Sequence, residues 1–227
     1  MQEHTTRLIY NVWSHFYDAL LTKLVQRRQE QAIARMDLRP GEWLLDIGIG
    51  TGLSLEFYPP SVNVVGVDLS EGMLSRAKKR IGEMHLTQAR LALADAMRLP
   101  FEDKSFDHIL VSHVITVVSD PVRLIEEIRR VGKPGCRIVI INHFQSGNSV
   151  MALLEKWLCP LCQKIGWRSD LSLEDLMKRT GLDVDFRYKL DRVDLWETVF
   201  VTNTLPSTVP AVSGALPKSS LSSASAA

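Results

Sequence analysis

Leu44-Leu45-Asp46-Ile47-Gly48-Ile49-Gly50-Thr51-Gly52 is the stretch that decides the fold of this 227-residue chain. An apolar strand runs into an acid, and a turn with glycine at alternate positions follows at once. Such glycines permit positive φ and let a ligand approach the backbone with no Cβ in the way. The carboxyl end of a first strand is also where open α/β sheets bind ligands.

Outward from this turn, short apolar runs alternate with helical segments between Glu42 and His143, the pattern of a parallel sheet with crossover helices. Strands are expected at Trp43–Ile47, Val62–Val67, Arg90–Ala94, Phe106–Ser112 and Arg137–Asn142, with helices near Glu71–Ile81 and Pro121–Val131. Two further runs, Val184–Tyr188 and Trp196–Thr202, are close enough to form a hairpin at the sheet edge. Before the sheet, Arg7 to Met36 reads as helix. Leu20, Leu21, Leu24, Val25, Ala32, Ile33 and Met36 fall largely on one face, with Lys23, Arg27 and Arg28 elsewhere. The expected organisation is an amphipathic region over 1–38 and a doubly wound α/β domain over 39–204. Within the latter, a helical insertion occupies 150–180 on the substrate side. The Ser/Ala/Pro-rich tail over 205–227 cannot bury enough apolar surface to order itself.

Composition narrows the partners. The formal net charge of +1 carries no basic excess of the kind nucleic-acid binders show, and no N-P-P-Y-type acceptor motif occurs. No run approaches the roughly 18 apolar residues of a membrane span, and no signal-peptide core is present. Three cysteines do not make a disulfide framework. Cys159-Pro160-Leu161-Cys162 suggests zinc or redox chemistry, but a structural zinc needs about four ligands and only Cys136 remains. No metal is therefore expected, and the chain reads as cytoplasmic.

Three acids stand at three successive strand ends. Asp68 lies 22 positions after Asp46, in Val67-Asp68-Leu69-Ser70, where a carboxylate can accept both hydroxyls of a ribose. Asp95, in Ala94-Asp95-Ala96, can accept an exocyclic adenine amine, although a loop cap is an ordinary job for an aspartate. Asp46 would repel a pyrophosphate but suits the amino group of a methionine moiety. A dinucleotide fingerprint needs G-x-G-x-x-G, and the third glycine position here is Leu53.

In this combination the chain resembles the class I S-adenosylmethionine-dependent methyltransferases. DIGIGTG, GVDLS, ADAMRLPF, SFDHIL and RRVGKPGCRIVIIN match that family's motifs in order and spacing. The resemblance implies a Rossmann-like seven-stranded sheet with the last strand antiparallel. It also implies S-adenosylmethionine bound by Asp46, Gly48, Gly50, Thr51, Gly52, Asp68 and Asp95, with Leu69, Met73, Ala96 and Ser112 along the adenine and thioether.

Beyond the cofactor motifs, the run from His113 to Pro121, Tyr10 with Tyr17-Asp18, Asn142-His143-Phe144 and Gly166-Trp167-Arg168 resemble the soluble bacterial phosphatidylethanolamine N-methyltransferases. The resemblance implies a phospholipid amine as acceptor, methylated at the cytoplasmic face of a membrane by a peripherally bound enzyme. Leucines beside basic residues on the N-terminal helix suit contact with an anionic surface; packing on the helix's own domain is the alternative. For the chemistry, His143 is the candidate to take the amine proton, since histidine changes charge nearest to neutral pH. Tyr10 and Tyr17 are candidates to cap the cofactor and face the methylated cation, with Tyr17 and His143 as catalytic candidates. His113 joins them on the acceptor side, and Arg168 and Arg187 are candidates for the lipid phosphate. The rivals are a methyltransferase of a quinone, sterol or small amine, and a membrane-docking, cofactor-binding protein without turnover.

Overall fold

Alternation along each central strand explains how this chain makes two cores. Leu45 and Ile47 of one strand, Ile109 and Val111 of another and Ile138 and Ile140 of a third share one apolar cluster. Their neighbours Leu44, Leu110, Val139 and Ile141 share a second cluster on the opposite face. Successive side chains of a strand point to opposite faces, so a sheet apolar on both sides must be covered on both.

The computed structural model describes residues 22–144, 171–191, 194 and 196–204. Its seven strands are β1 (Trp43–Ile47), β2 (Asn63–Asp68), β3 (Ala89–Leu93), β4 (Phe106–Ser112), β5 (Gly132–His143), β6 (Phe186–Tyr188) and β7 (Trp196–Thr202). They lie in the order β3-β2-β1-β4-β5-β7-β6. The first five are parallel, β7 runs antiparallel to β5, and β6 runs antiparallel to β7. The expected doubly wound sheet and closing hairpin are both present. The hairpin enters with its second strand inward, so β6 rather than β7 forms the edge.

Among the described residues, four helices flank the sheet. Helix α1 (residues 22–34) covers the second cluster with Ala32 and Ile33, and Met36 just past its end joins them. Helix α2 (Glu71–Glu83) starts at Ser70, whose hydroxyl accepts from the Met73 amide. Helix α3 (Pro121–Val131) starts at Asp120, which accepts from the Val122 and Arg123 amides, with proline in its first turn. Both are side-chain caps of the kind that satisfy orphan donors at a helix start. Helix α4 (Leu173–Thr180), the described part of the insertion, packs Leu173 and Leu176 into the first cluster with Leu124, Ile125 and Ile128 of α3.

Among the strand boundaries that differ from the expected ones, β2 moves by one residue and the start of β5 by five. β2 runs one residue later than expected because Asp68 still pairs with Leu93 in β3. β5 starts at Gly132, which pairs with Phe106 before a register shift. The Pro134-Gly135 turn interrupts apolar patterning there without ending the strand. The segments before residue 22 and after 204, and most of the insertion, lie outside the described residues.

Candidate functional site

The sheet order reverses between β1 and β4, and ligands of open α/β sheets bind in the crevice this creates at the carboxyl strand ends. The glycine turn after β1 lies there. Gly48, Gly50 and Gly52 all have positive φ, at 74°, 56° and 77°, but for different reasons. A Cβ on Gly48 would come within 2.1 Å of Val114 Cγ2, and one on Gly52 within 2.6 Å of Leu55 Cδ1 and 3.3 Å of Ala77 Cβ. Gly52 therefore lets α2 close on the turn. A Cβ on Gly50 would meet only the Gly48 carbonyl, at 3.9 Å, so Gly50 is required by its backbone angle alone.

A cleft of about 350 Å³ opens beside this turn. It brings together Gly48, Asp68, Leu69, Asp95 and Ala96 of the expected residues, and its far wall is Val114, Val117 and Val118 of the β4–α3 loop. Asp68 ties the two sides of the turn: one carboxylate oxygen accepts from the Gly50 amide and the other from the Ser70 amide, each at 2.9 Å. Asp95 Oδ1 accepts from the Met97 amide at 2.9 Å, so it caps its own loop and lines the cleft at once. Leu69, 74% exposed, forms an apolar lip. Thr51 sits half-buried in the turn. Met73 lies in the first turn of α2 and is not among the residues lining the cleft.

Asp46 sits behind the turn, buried on the face covered by α1. Its Oδ2 accepts from both Ser54 Oγ (2.5 Å) and Tyr58 Oη (2.8 Å), while Oδ1 is buried without a partner. Burial pushes this carboxyl up from 3.8 to about 6; the two hydroxyls pull it down and the nearby Asp68 charge pushes it up further. Burial also drives the Tyr58 hydroxyl well above its ordinary value, and the adjoining Asp46 charge adds to the effect. Ser54 and Tyr58 belong to the one-turn 3-10 helix Leu53–Phe57 and its C-terminal cap. Ser54 is fully buried within Leu-Ser-Leu-Glu-Phe, and nothing in its spacing from Asp46 signals the contact.

The ends of β4 and β5 carry a second polar cluster. Ser112 is buried, and its hydroxyl accepts from Gln29 of α1 at 3.2 Å. His113 follows with φ 61°, its ring edge-on to Trp196 at 6.2 Å and its Nε2 buried without a partner. Burial, then the nearby Arg28 cation, lowers its imidazole from 6.5 to about 4, so the ring is neutral. His143 is buried at the end of β5, opposite Trp196 in the ladder. Asn142 beside it donates to Thr116 Oγ1 at 3.1 Å and to the His143 carbonyl at 2.8 Å.

Arg28 corrects the expectation that it faces a membrane. It is 5% exposed, paired through Nη2 and Nε with Asp194 and stacked on Trp196 with 4.5 Å from guanidinium carbon to ring centroid. Burial pushes the Asp194 carboxyl up. Arg28 and the Trp196 and Leu190 amides outweigh that and hold it below the usual range. Lys23 and Arg27 are exposed. Arg187, on edge strand β6, is answered by Glu174 at 3.2 Å and Glu197 at 3.6 Å. Tyr10, Tyr17, Arg168, Cys159 and Cys162 lie outside the described residues. Cys136 is buried, its thiol pushed up to about 12 chiefly by burial. Among the described residues, no group of three or more His, Cys, Asp or Glu is placed to hold a metal, and no helix is long and apolar enough to cross a membrane.

Comparison with known proteins agrees with this geometry. Residues 45–140 match the family described as a methyltransferase domain. A phosphatidylethanolamine N-methyltransferase of Cereibacter sphaeroides is 35% identical over 77% of this chain and 86% of its own length. A demethylmenaquinone methyltransferase of Oceanobacillus iheyensis is 33% identical over 63% of each chain. Among solved structures, an S-adenosylmethionine-dependent methyltransferase of Aquifex aeolicus superposes with a TM-score of 0.59 at 18% identity, over 78% of this chain and 89% of that one. The chain belongs to the class I S-adenosylmethionine-dependent methyltransferases.

Proposed function

We propose that this methyltransferase acts on the amine of phosphatidylethanolamine and its methylated derivatives, towards phosphatidylcholine, at the cytoplasmic face of a membrane. The observation that carries the reading is the reach of the likeness. The phosphatidylethanolamine enzyme is 35% identical and matched over 86% of its length, whereas two demethylmenaquinone enzymes are 33% and 29% identical and matched over 63% and 76% of theirs.

The residues present fit S-adenosylmethionine. The glycine turn is a cradle that a Cβ at Gly48 would disrupt, and Asp46 Oδ1 is a buried acceptor with no donor among the described residues. In the proposal Asp46 meets the amino-acid end, the Gly48–Gly52 turn lies against the backbone of that end, Asp68 takes the ribose hydroxyls and Asp95 the adenine amine. Leu69, Ala96 and the valines of the β4–α3 loop pack on the ring. The bound cofactor supplies an activated methyl group on a sulfonium, so the protein mainly has to align the acceptor and exclude water. His143 is proposed to take or hold the amine proton, and neutral His113 to hydrogen-bond on the acceptor side. Tyr10 and Tyr17 are proposed to face the methylated cation. Arg168 is the remaining phosphate candidate, since Arg187 is already engaged by two glutamates.

The test is incubation of purified protein with labelled S-adenosylmethionine and vesicles of phosphatidylethanolamine with anionic lipid, with demethylmenaquinone in a parallel arm. Mono-, di- and trimethylated phospholipids on thin-layer chromatography are expected. Label in the quinone with the phospholipid untouched would overturn the proposal.

A further inference from the structure

The two hydroxyls on Asp46 share one oxygen. Ser54 Oγ and Tyr58 Oη both donate to Oδ2, which fills its two lone pairs, and Oδ1 is left buried with no donor among the described residues. Buried carboxylate oxygens are nearly always hydrogen-bonded, so one without a partner marks where a donor is expected. We infer that Ser54 and Tyr58 are positioning residues: they turn Asp46 so that Oδ1 is presented to the ammonium of the methyl donor's amino-acid end. This rests on the reading above that Asp46 meets that ammonium.

Local structure makes the arrangement possible. Gly52, in the left-handed region, reverses the chain into the 3-10 turn. That turn brings Ser54 and Tyr58 back beneath β1, both buried in the core shared with α1. The groups acting on Asp46 are these two hydroxyls and the Asp68 carboxylate of β2. Helix α1 brings Ala32 and Ile33 to that face, and Met36 just past its end packs there too. Two neutral donors therefore have to favour the charged carboxylate against burial and a neighbouring negative charge. A hydrogen bond to the charged form favours ionisation, so the same contacts that aim Asp46 keep it ionised near neutral pH.

The test is calorimetry of S-adenosylhomocysteine binding between pH 5.5 and 8 for wild type, Tyr58→Phe, Ser54→Ala and Asp46→Asn. Wild-type affinity should fall as pH drops through about 6. Tyr58→Phe keeps the ring in the core and loses only the donor. It should move that acid limb upward by about one pH unit, so that its loss of affinity is several-fold greater at pH 6.5 than at pH 8. Ser54→Ala should shift the limb in the same direction. An acid limb identical to wild type in both folded variants overturns the inference, because a merely structural role would lower the melting temperature without moving it. Asp46→Asn separates the two readings: it should bind weakly at every pH. Wild-type affinity in that variant would remove the ammonium contact itself. Weak binding there with unmoved limbs in the hydroxyl variants would remove only the positioning role.

Discussion

Gly48→Ala tests the construction of the donor cleft most directly, because the structure separates its two costs. The first is backbone: at φ 74° an L-residue pays about 1–2 kcal/mol. The second is packing: the new Cβ would stand 2.1 Å from Val114 Cγ2, an overlap that must displace Val114, and overpacking of this kind costs about 1–3 kcal/mol. Together they give about 2–5 kcal/mol, and in a domain of this size each kcal/mol is about 2–4 °C of melting temperature. Gly50→Ala provides the control. It shares the positive φ but has nothing nearer than 3.9 Å, so only the backbone cost of about 1–2 kcal/mol applies. Denaturant melts of Gly48→Ala, Gly50→Ala and Gly48→Ala/Val114→Ala would be compared, with S-adenosylhomocysteine titrations alongside. The double variant should recover the packing part, and cofactor affinity should fall more in Gly48→Ala than in Gly50→Ala because Val114 lines the cleft. Equal stabilities for the two single variants, or no recovery on trimming Val114, would refute the packing argument.

Asp68→Ala should keep the circular dichroism spectrum and weaken S-adenosylhomocysteine binding roughly ten- to hundredfold, the loss of about 1.5–3 kcal/mol of charge-assisted hydrogen bonding; calorimetry checks it. Asp194→Asn strands the buried Arg28 cation and should cost about 3–5 kcal/mol in urea unfolding. His113 titrates at about 4 in the fold against 6.5 when free. Its contribution to stability is therefore complete above pH 6.5 and is lost as pH falls from 6.5 towards 4. Its ring resonances should show no protonation at pH 5.5 in proton NMR.

What could be read in advance was whatever depends on neighbours in sequence. β1 and β4 carry the apolar runs Trp43-Leu44-Leu45 and Ile109-Leu110-Val111, and their predicted limits coincide with the observed ones. The strand-end acids Asp68 and Asp95 are visible for the same reason. Arg28 was misread because helical spacing places a cation on the polar face by its charge alone. What buries it is Asp194, 166 residues away, and the ring of Trp196. The role of Tyr58 was likewise hidden, since only the 3-10 turn, and not the spacing from Asp46, brings its hydroxyl to the carboxylate. Gly48 and Gly52 look alike in the motif, yet one makes room for Val114 and the other for Ala77.

The place of β7 has a consequence for synthesis. β5 carries the buried run Ile138–Ile141, and its outer side pairs with residues 196–202, such as Ile140 with Val199. While a ribosome is still translating the insertion and helix α4, that side of β5 is an open, strongly apolar edge, a template for pairing with another chain. Contacts this remote in sequence also form slowly. The hazard closes only when β7 arrives, and the edge then passes to β6, which has three residues and carries Arg187. A strand so short and charged is a poor template. The finished sheet is protected at a border where the growing one is not, so the interval between translating β5 and β7 is when this border of the chain is most open to pairing with another.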